Sequence, residues 1–380
     1  MHLLGKDCIR KTQTDYFLSF VCIVCFVCFL NFFGTIMTLS ITPISANLSN
    51  LPTVSISSSA TSAQTSINFF ISNAGSNIVG VQVGVTNIPT GSTFSMASNV
   101  PSVWMTPAAT TTAQSISAIA IDGTVGANPL PAVYTSPIET LTINQGNITA
   151  PLSLSNFTLT AQNTPGKFVD LKLLTTGYNI NITGSVGFTV PASSVAGNYT
   201  GGTGVNTLVF PDVYSKYAIT NLGSNNFNVT YSTNGSVDTI QSFSRLQFQD
   251  KGLAYDLSGA AGQVAKILGA VYGSSSVSNP TFVGIGLGYL NQGMSYANLI
   301  SLALNAKLGT GFTNAQEVTL LFQNLAHANP TAQDVSTWTN QISNGTYTQT
   351  SLAQFACDNA INTNNINLTG LAQTGLTYSS

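Results

Sequence analysis

The chain has few charged side chains, and this lack argues against one class of partner. Charged residues make up 6% of the 380 residues, against about 25% in typical soluble proteins. The formal net charge is −2, so there is no basic surface to attract phosphate groups, and nucleic-acid binding is not expected. A surface this low in charge is expected to adhere to copies of itself or to a neutral polymer.

Groups for acid–base catalysis are equally scarce. The sequence holds two histidines, His2 and His327, and two glutamates, Glu139 and Glu317. Such side chains carry most general acid–base chemistry. His327 precedes Asn329-Pro330, where a helix is predicted to end, and there it would interact with terminal carbonyl groups. Since no nucleophile elbow, P-loop, zinc motif or dinucleotide fingerprint occurs either, the sequence predicts a protein that is not an enzyme.

Cysteine is nearly absent after residue 30. Cys8, Cys22, Cys25 and Cys28 precede that point and only Cys357 follows it, so no disulfide can form within the later domains. The C-x-x-C-x-x-C spacing resembles that of iron–sulfur ligands. It lies, however, in the apolar run FLSFVCIVCFVCFLNFF, so we interpret these cysteines as small apolar residues of a helix.

Residues 1–46 are predicted to be a leader. The apolar run at 17–38 follows three basic residues, as in a signal peptide or an N-terminal membrane anchor. Three interpretations remain open: a signal cleaved near Ser45-Ala46, an uncleaved membrane helix, or a true start at Met37. All three place the rest of the chain outside the cytoplasm or on its way there.

Residues 47–165 alternate short β-prone runs with turn clusters, which predicts an antiparallel β-sandwich ending at the linker 163–166. The order VGVQVGVTNIPTGSTFS, PIETLTI, LSLSNFTLTAQ resembles cohesin-like and carbohydrate-binding sandwiches of bacterial surface proteins. A carbohydrate-binding role would use Trp104 and Tyr134, with the indole stacked on a sugar ring. The alternative is that Trp104 belongs to the core.

Residues 166–258 form a second β-rich region, predicted to be a degenerate cap. The phrase GGTGVN, which begins at Gly201, resembles a nonapeptide of the repeats-in-toxin calcium proteins, with Asn206 in place of their aspartate. The resemblance implies a calcium site at Gly202, Gly204 and Asn206, and no other cofactor is expected. The alternative is a glycine-rich turn that leads into a strand.

A second phrase in this region resembles the β cap that closes repeats-in-toxin arrays in type I secretion substrates. It runs from Tyr214 to Asp250, with apolar residues alternating at 217–219 and 227–231 and then Asp-Thr-Ile at 238–240 and RLQFQD at 245–250. The period-two apolar faces predict a series of hairpins. Asp250 and Asp256 flank Lys251 and are predicted to be solvated turn carboxylates.

Residues 259–380 change to helical periodicity and predict a small bundle. Thr313 with Gln316 and Thr331 with Asp334 have capping-box spacing, and a third helix follows at Leu352. There is also an internal echo: GMSY before Leu-x-x-Leu-Ala at 299–303 is similar to GTY before Leu-x-x-Phe-Ala at 352–356.

The run LFQNL at 321–325, with Pro330, Trp338 and Asn344-Gly345, resembles the bacterial family called domain of unknown function 4214. Counting the β cap, the resemblance covers residues 205–375. The Gly-Arg of that family is His327-Ala328 here. The resemblance implies a C-terminal module of secreted or surface proteins.

Together these features predict a multidomain chain of β followed by α structure: a sandwich, a β cap and a helical bundle. The expected function is non-enzymatic adhesion, surface-layer or matrix assembly outside the cell, after type I secretion. The expected partners are a glycan or surface polymer, copies of the chain itself and the secretion machinery. The alternatives are a carbohydrate-binding module and a calcium-dependent accessory domain of a secreted enzyme.

Overall fold

The computed structural model describes residues 52–72, 78–123, 128–131, 134–164, 167–172, 178–193 and 195–379. The predicted leader, with Cys22, Cys25, Cys28 and Met37, lies outside the described residues. Within these ranges no helix is both long enough and apolar enough to span a membrane.

The described chain is β-rich up to residue 254 and helical from residue 260, as the sequence predicted. The strands are β1 (Thr53–Ala60), β2 (Thr65–Ser72), β3 (Ile78–Thr86), β4 (Phe94–Ser98), β5 (Trp104–Met105), β6 (Thr110–Thr112), β7 (Ser115–Asp122), β8 (Glu139–Ile143), β9 (Leu152–Thr164), β10 (Lys167–Lys172), β11 (Asn179–Thr183), β12 (Phe188–Pro191), β13 (Asn198–Thr200), β14 (Thr207–Val209), β15 (Tyr217–Gly223), β16 (Asn226–Tyr231), β17 (Val237–Gln241), β18 (Arg245–Gln247), β19 (Gly252–Ala254) and β20 (Leu376–Tyr378). The helices are α1 (Ala260–Ile267), α2 (Pro280–Asn291), α3 (Tyr296–Leu308), α4 (Asn314–Ala326), α5 (Ala332–Ser343), α6 (Gln349–Asp358), α7 (Ala360–Asn365) and α8 (Leu368–Thr374).

Two sheets form the β region. In the described residues, the strand order of sheet 1 is β15-β16-β17-β13-β11-β1-β2-β8-β4, and that of sheet 2 is β20-β19-β18-β14-β12-β9-β3-β7-β5. In sheet 2, β10 also pairs with β9 and β6 also pairs with β7. Strand β2 shows why they pack: Ile67, Phe69 and Ile71 are buried while the residues between them are partly exposed. Alternation of this kind places one face of a strand against a core. One apolar cluster extends from Val54 to Tyr255, so the regions 47–165 and 166–258 share a core.

The first part of the sandwich is antiparallel, as predicted: β2 pairs with β1 and β8, and β3 pairs with β7 and β9. In the second part, the hairpins predicted over 214–250 are accompanied by parallel pairing that was not predicted. Hairpins are present at β15-β16-β17 and β18-β19, but β11, β13 and β17 are parallel neighbours in sheet 1, and β12, β14 and β18 are parallel neighbours in sheet 2. The chain therefore coils, passing from one sheet to the other, as stacked-repeat proteins do.

Glycines in the turns of these coils permit the stacking. A methyl group at Gly187 would overlap the carbonyl oxygen of Val205, and one at Gly201 would overlap that of Ser242. Successive turns therefore touch backbone to backbone, an approach that only glycine allows. The sequence shows this pattern clearly only at 201–206, because the neighbouring turns contain fewer glycines.

Two helices, α4 and α5, begin where the sequence predicted. Thr313 and Gln316 form a complete capping box, and so do Thr331 and Asp334. Helix α1 continues as a π-helical turn over Leu268–Tyr272. A second apolar cluster, built mainly from the helices, includes Ala254 and Leu376 of the strands, so the bundle packs directly against the end of sheet 2.

The prediction that Asp256 is a solvated turn carboxylate was wrong. Its side chain is 10% exposed and forms an ion pair with Arg245, whose side chain is 4% exposed. The chain turns here from β19 into α1, so the carboxylate faces the sheet rather than solvent. Asp250, in contrast, is exposed and accepts a hydrogen bond from the Tyr214 backbone amide at 2.7 Å.

Candidate functional site

An apolar groove of about 280 Å³ lies between α1, α2 and α3. We call it groove 1. Large apolar side chains on its wall are exposed to solvent: Ile285 is 54% exposed, Phe282 41% and Leu302 39%. Isolated exposed apolar residues are ordinary, but several that line one concave surface are typical of interaction sites.

A second apolar groove of about 210 Å³ lies between α4, α5 and α6. We call it groove 2. Phe355 and Ile361, which are 44% and 53% exposed, line it. The half-buried Trp338 also lines this groove and contacts the ring of Phe355, at 5.8 Å between centroids.

The two grooves occupy equivalent places in two similar units. The first repeat, 260–308, and the second repeat, 314–358, each consist of three helices. Lining residues of the two grooves correspond at a nearly constant spacing in the sequence: Val264 with Val318, Ile267 with Leu321, Leu268 with Phe322, Leu299 with Leu352, Leu302 with Phe355 and Ala303 with Ala356. The internal echo at 299–303 and 352–356 is thus one part of a longer internal repeat.

Neither groove is lined by the charged or imidazole side chains that usually act in acid–base catalysis or bind metal ions. The lining residues include no Asp, Glu, His, Lys or Arg. Tyr272, whose pKa burial raises, donates its hydroxyl hydrogen to the carbonyl oxygen of Ala303 at 3.2 Å. The Lys307 ammonium lies over the same ring, 5.4 Å from its centroid. Such surfaces are suited to burying an apolar segment.

The two residues predicted to bind carbohydrate, Trp104 and Tyr134, both pack against the core of the sandwich. Trp104 takes the position that the alternative interpretation gave it: it is 5% exposed, belongs to the sandwich core and donates its indole hydrogen to the carbonyl oxygen of Asn128 at 2.9 Å. The short strand β5 pairs with β7 and turns the indole inward. Tyr134 packs against the same core and donates its hydroxyl to the carbonyl oxygen of Asn99 at 2.5 Å.

The residues predicted to bind calcium do come together. Gly202, Gly204 and Asn206 lie in the turn between β13 and β14, and the fully buried side-chain amide of Asn206 donates to the carbonyl oxygens of both glycines at 3.0 Å. In the parts of the chain that the structure describes, no group of three or more His, Cys, Asp or Glu side chains could hold a metal ion.

The burial of the carboxyl groups of Glu317, Asp238 and Glu139 was not predicted from the sequence. Neither oxygen of the Glu317 carboxyl has a hydrogen-bond partner, and burial raises its pKa to about 8. Asp238 accepts from the Gly197 amide at 2.8 Å and burial raises its pKa to about 7. Burial also raises the pKa of Glu139, which accepts from the Ser98 hydroxyl at 2.6 Å. The period-two pattern of the β strands could have indicated Glu139 and Asp238 as inward-facing.

His327 ends α4 in a left-handed conformation, with φ of 54°. Its backbone amide donates to the carbonyl oxygen of Gln323 at 3.0 Å. It lies at the helix end, as predicted.

No family model matches the chain, and the search of characterised proteins gave no match in sequence. Three similar solved structures are cohesin domains. The seventh ScaB type I cohesin from Pseudobacteroides cellulosolvens is 11% identical, with 35% of this chain and 86% of that chain covered and a TM-score of 0.24. The sixth cohesin of scaffoldin B from Acetivibrio cellulolyticus, in complex with a Cel5 dockerin mutant, is 13% identical, with 35% and 99% covered and a TM-score of 0.24. CaCohA2 from Clostridium acetobutylicum is 15% identical, with 32% and 80% covered and a TM-score of 0.23. In each case the similarity covers about a third of this chain.

Proposed function

We propose that this protein is a non-catalytic protein of the cell surface or the extracellular space, and that it assembles with other proteins through its helical module. The partner contributes apolar segments that fill groove 1 and groove 2. The sandwich and its coils present the module, and the leader directs the chain out of the cytoplasm.

The main observation that supports this proposal is the exposed apolar lining of groove 1. Phe282, Ile285 and Leu302 expose large apolar surfaces in a chain whose surface is otherwise rich in hydroxyl and amide groups. Burying such surface is favourable by about 25 cal/mol per Å². A polysaccharide would need polar partners for its hydroxyl groups, and the lining of the groove offers almost none, which favours a protein segment.

The internal repeat supports the same conclusion. Corresponding residues line both grooves, so both suit apolar segments of similar size. A partner that carries two such segments would bind more tightly than either segment alone, because the second contact becomes intramolecular.

A photo-crosslinking experiment tests the proposal. The photoreactive residue p-benzoylphenylalanine replaces Ile285 in groove 1, or the exposed Thr337 on the surface of α5 as the matched control, and the producing cells are irradiated. We expect a protein adduct at position 285 and none at position 337. Mass spectrometry then tells a second copy of the chain from a different protein.

Two results would contradict the proposal. One is a groove that crosslinks only to lipid or polysaccharide. The other is an adduct pattern that is the same at positions 285 and 337. Fractionation of the culture, with the mature N-terminus determined by mass spectrometry, tests the location independently of the groove.

A further inference from the structure

The turn from Gly201 to Asn206 lies between two other turns of the coil. Its neighbours are the turn at 183–188, which joins β11 to β12, and the turn at 241–245, which joins β17 to β18. A methyl group at Gly204 would overlap the backbone nitrogen of Gly187, so the first two turns are in backbone contact.

Asn206 hydrogen bonds to all three turns. Its side-chain Nδ2 donates to the carbonyl oxygens of Gly202 and Gly204 at 3.0 Å each, within its own turn. Its Oδ1 accepts from the backbone amide of Phe188 in the preceding coil at 3.1 Å. Its carbonyl oxygen accepts from the amides of Ser244 and Arg245 in the following coil, both at 3.1 Å.

These contacts do not fit a calcium site. Calcium takes six to eight oxygen ligands, carboxylates among them. The carbonyl oxygens of Gly202 and Gly204 already accept from the Asn206 amide. An amide nitrogen is a hydrogen-bond donor and cannot coordinate a cation. The Asn206 side chain, moreover, is fully buried and supplies no negative charge.

We propose that the side-chain amide of Asn206 takes the place of a cation in this turn. Its two N–H groups supply the positive ends of dipoles to which the two glycine carbonyls bind. The coil is therefore held together without calcium, and the protein keeps the same stability in calcium-rich and calcium-free surroundings. This inference does not depend on the proposed function.

With aspartate at position 206, the stability of the protein is expected to depend on calcium. Ionised aspartate only accepts hydrogen bonds, so Asn206→Asp places a negative oxygen against two carbonyl oxygens in a buried turn. A buried, unpaired charge is costly, and the site must then take up either a proton or a cation.

Thermal unfolding of the purified full chain tests this, with calcium chloride or with a calcium chelator. For the wild type we expect the same melting temperature in both. For Asn206→Asp we expect a melting temperature several degrees lower in chelator, with part of the loss recovered in calcium. Asn206→Ala, the control, should be destabilised equally under both conditions, because it supplies neither a donor nor a charge.

If a variant does not fold, the wild-type measurement alone still tests the proposal. A wild-type melting temperature that falls in chelator, or calcium binding by the wild type in a calorimetric titration, would overturn the proposal. So would an Asn206→Ala protein as stable as the wild type, since the amide would then not hold the turn.

Discussion

Arg245 and Asp256 form a buried two-point ion pair at the junction of the sheet and the helices. Arg245 Nε lies 3.2 Å from Asp256 Oδ1, and Nη2 lies 2.9 Å from Oδ2. Nη1 also donates to Oδ1 of Asn291 in α2 at 3.1 Å, while Asp256 Oδ2 accepts from the Ala261 amide at the start of α1 at 3.3 Å. The pair thus connects β18 with the first two helices.

Removing one partner of this pair should weaken the whole fold. Arg245→Met leaves the Asp256 carboxylate buried without its countercharge, and losses of about 3–5 kcal/mol are typical of such changes. Chemical denaturation followed by circular dichroism measures the free energy of unfolding. Lys266→Met is the control, since the pair of Lys266 with Asp358 is much more exposed and such pairs contribute about 0–1 kcal/mol. Equal losses in the two variants would contradict this role of Arg245.

Glu317 should make the protein less stable as the pH rises. Burial raises its pKa from the ordinary value of 4.5 to about 8, so in this pH range the folded state holds a proton that the unfolded state has lost. Its contribution is fully present below pH 4.5 and is lost as the pH rises towards about 8, by at most about 1.4 kcal/mol per pH unit. Asp238 and Glu139 contribute with the same sign.

Glu317→Gln isolates this contribution. Glutamine keeps the shape of the side chain and cannot ionise, so the variant should gain stability relative to the wild type as the pH rises from 4.5 to about 8. Denaturation at several pH values measures the difference between the two proteins. Parallel pH profiles would show that the Glu317 carboxyl does not stay protonated in the fold.

Two glycine substitutions should have opposite effects. Gly187→Ala places a methyl group against the carbonyl oxygen of Val205 in the next coil, and overpacking of this kind costs about 1–3 kcal/mol. Gly288→Ala adds a methyl group with no neighbour within 4 Å, inside α2, and should stabilise by about 1 kcal/mol because alanine favours helix. Melting temperatures of the two variants measure this; a tolerant Gly187 would contradict the close stacking of the coils.

Trp104 should matter for stability rather than for recognition. Because its indole is buried in the sandwich, Trp104→Ala should cost about 3–5 kcal/mol. Trp104→Phe retains most of the apolar contact and removes only the indole hydrogen bond to the carbonyl oxygen of Asn128, so it should cost less. Denaturation and a glycan-array measurement on both variants check this. A Trp104→Phe protein that keeps its stability but loses binding to a glycan would favour the carbohydrate-binding alternative instead.

The sequence by itself determined the features that arise from contacts between near neighbours. The β-prone runs before residue 255, the change to helical periodicity and the capping boxes at Thr313 and Thr331 are all local patterns, and the structure has them. The echo between 299–303 and 352–356 was visible for the same reason.

Only the tertiary structure decided which distant residues meet. Parallel pairing of β11, β13 and β17 joins segments separated by other strands, and the sequence has no local signal for it beyond the glycines at 201–206. The burial of Trp104 and Asp256 depends on strands and helices that come later in the chain. Groove 1 and groove 2 arise because three helices leave a gap between them, and Asn206 replaces a cation because folding brings three turns into contact around its amide.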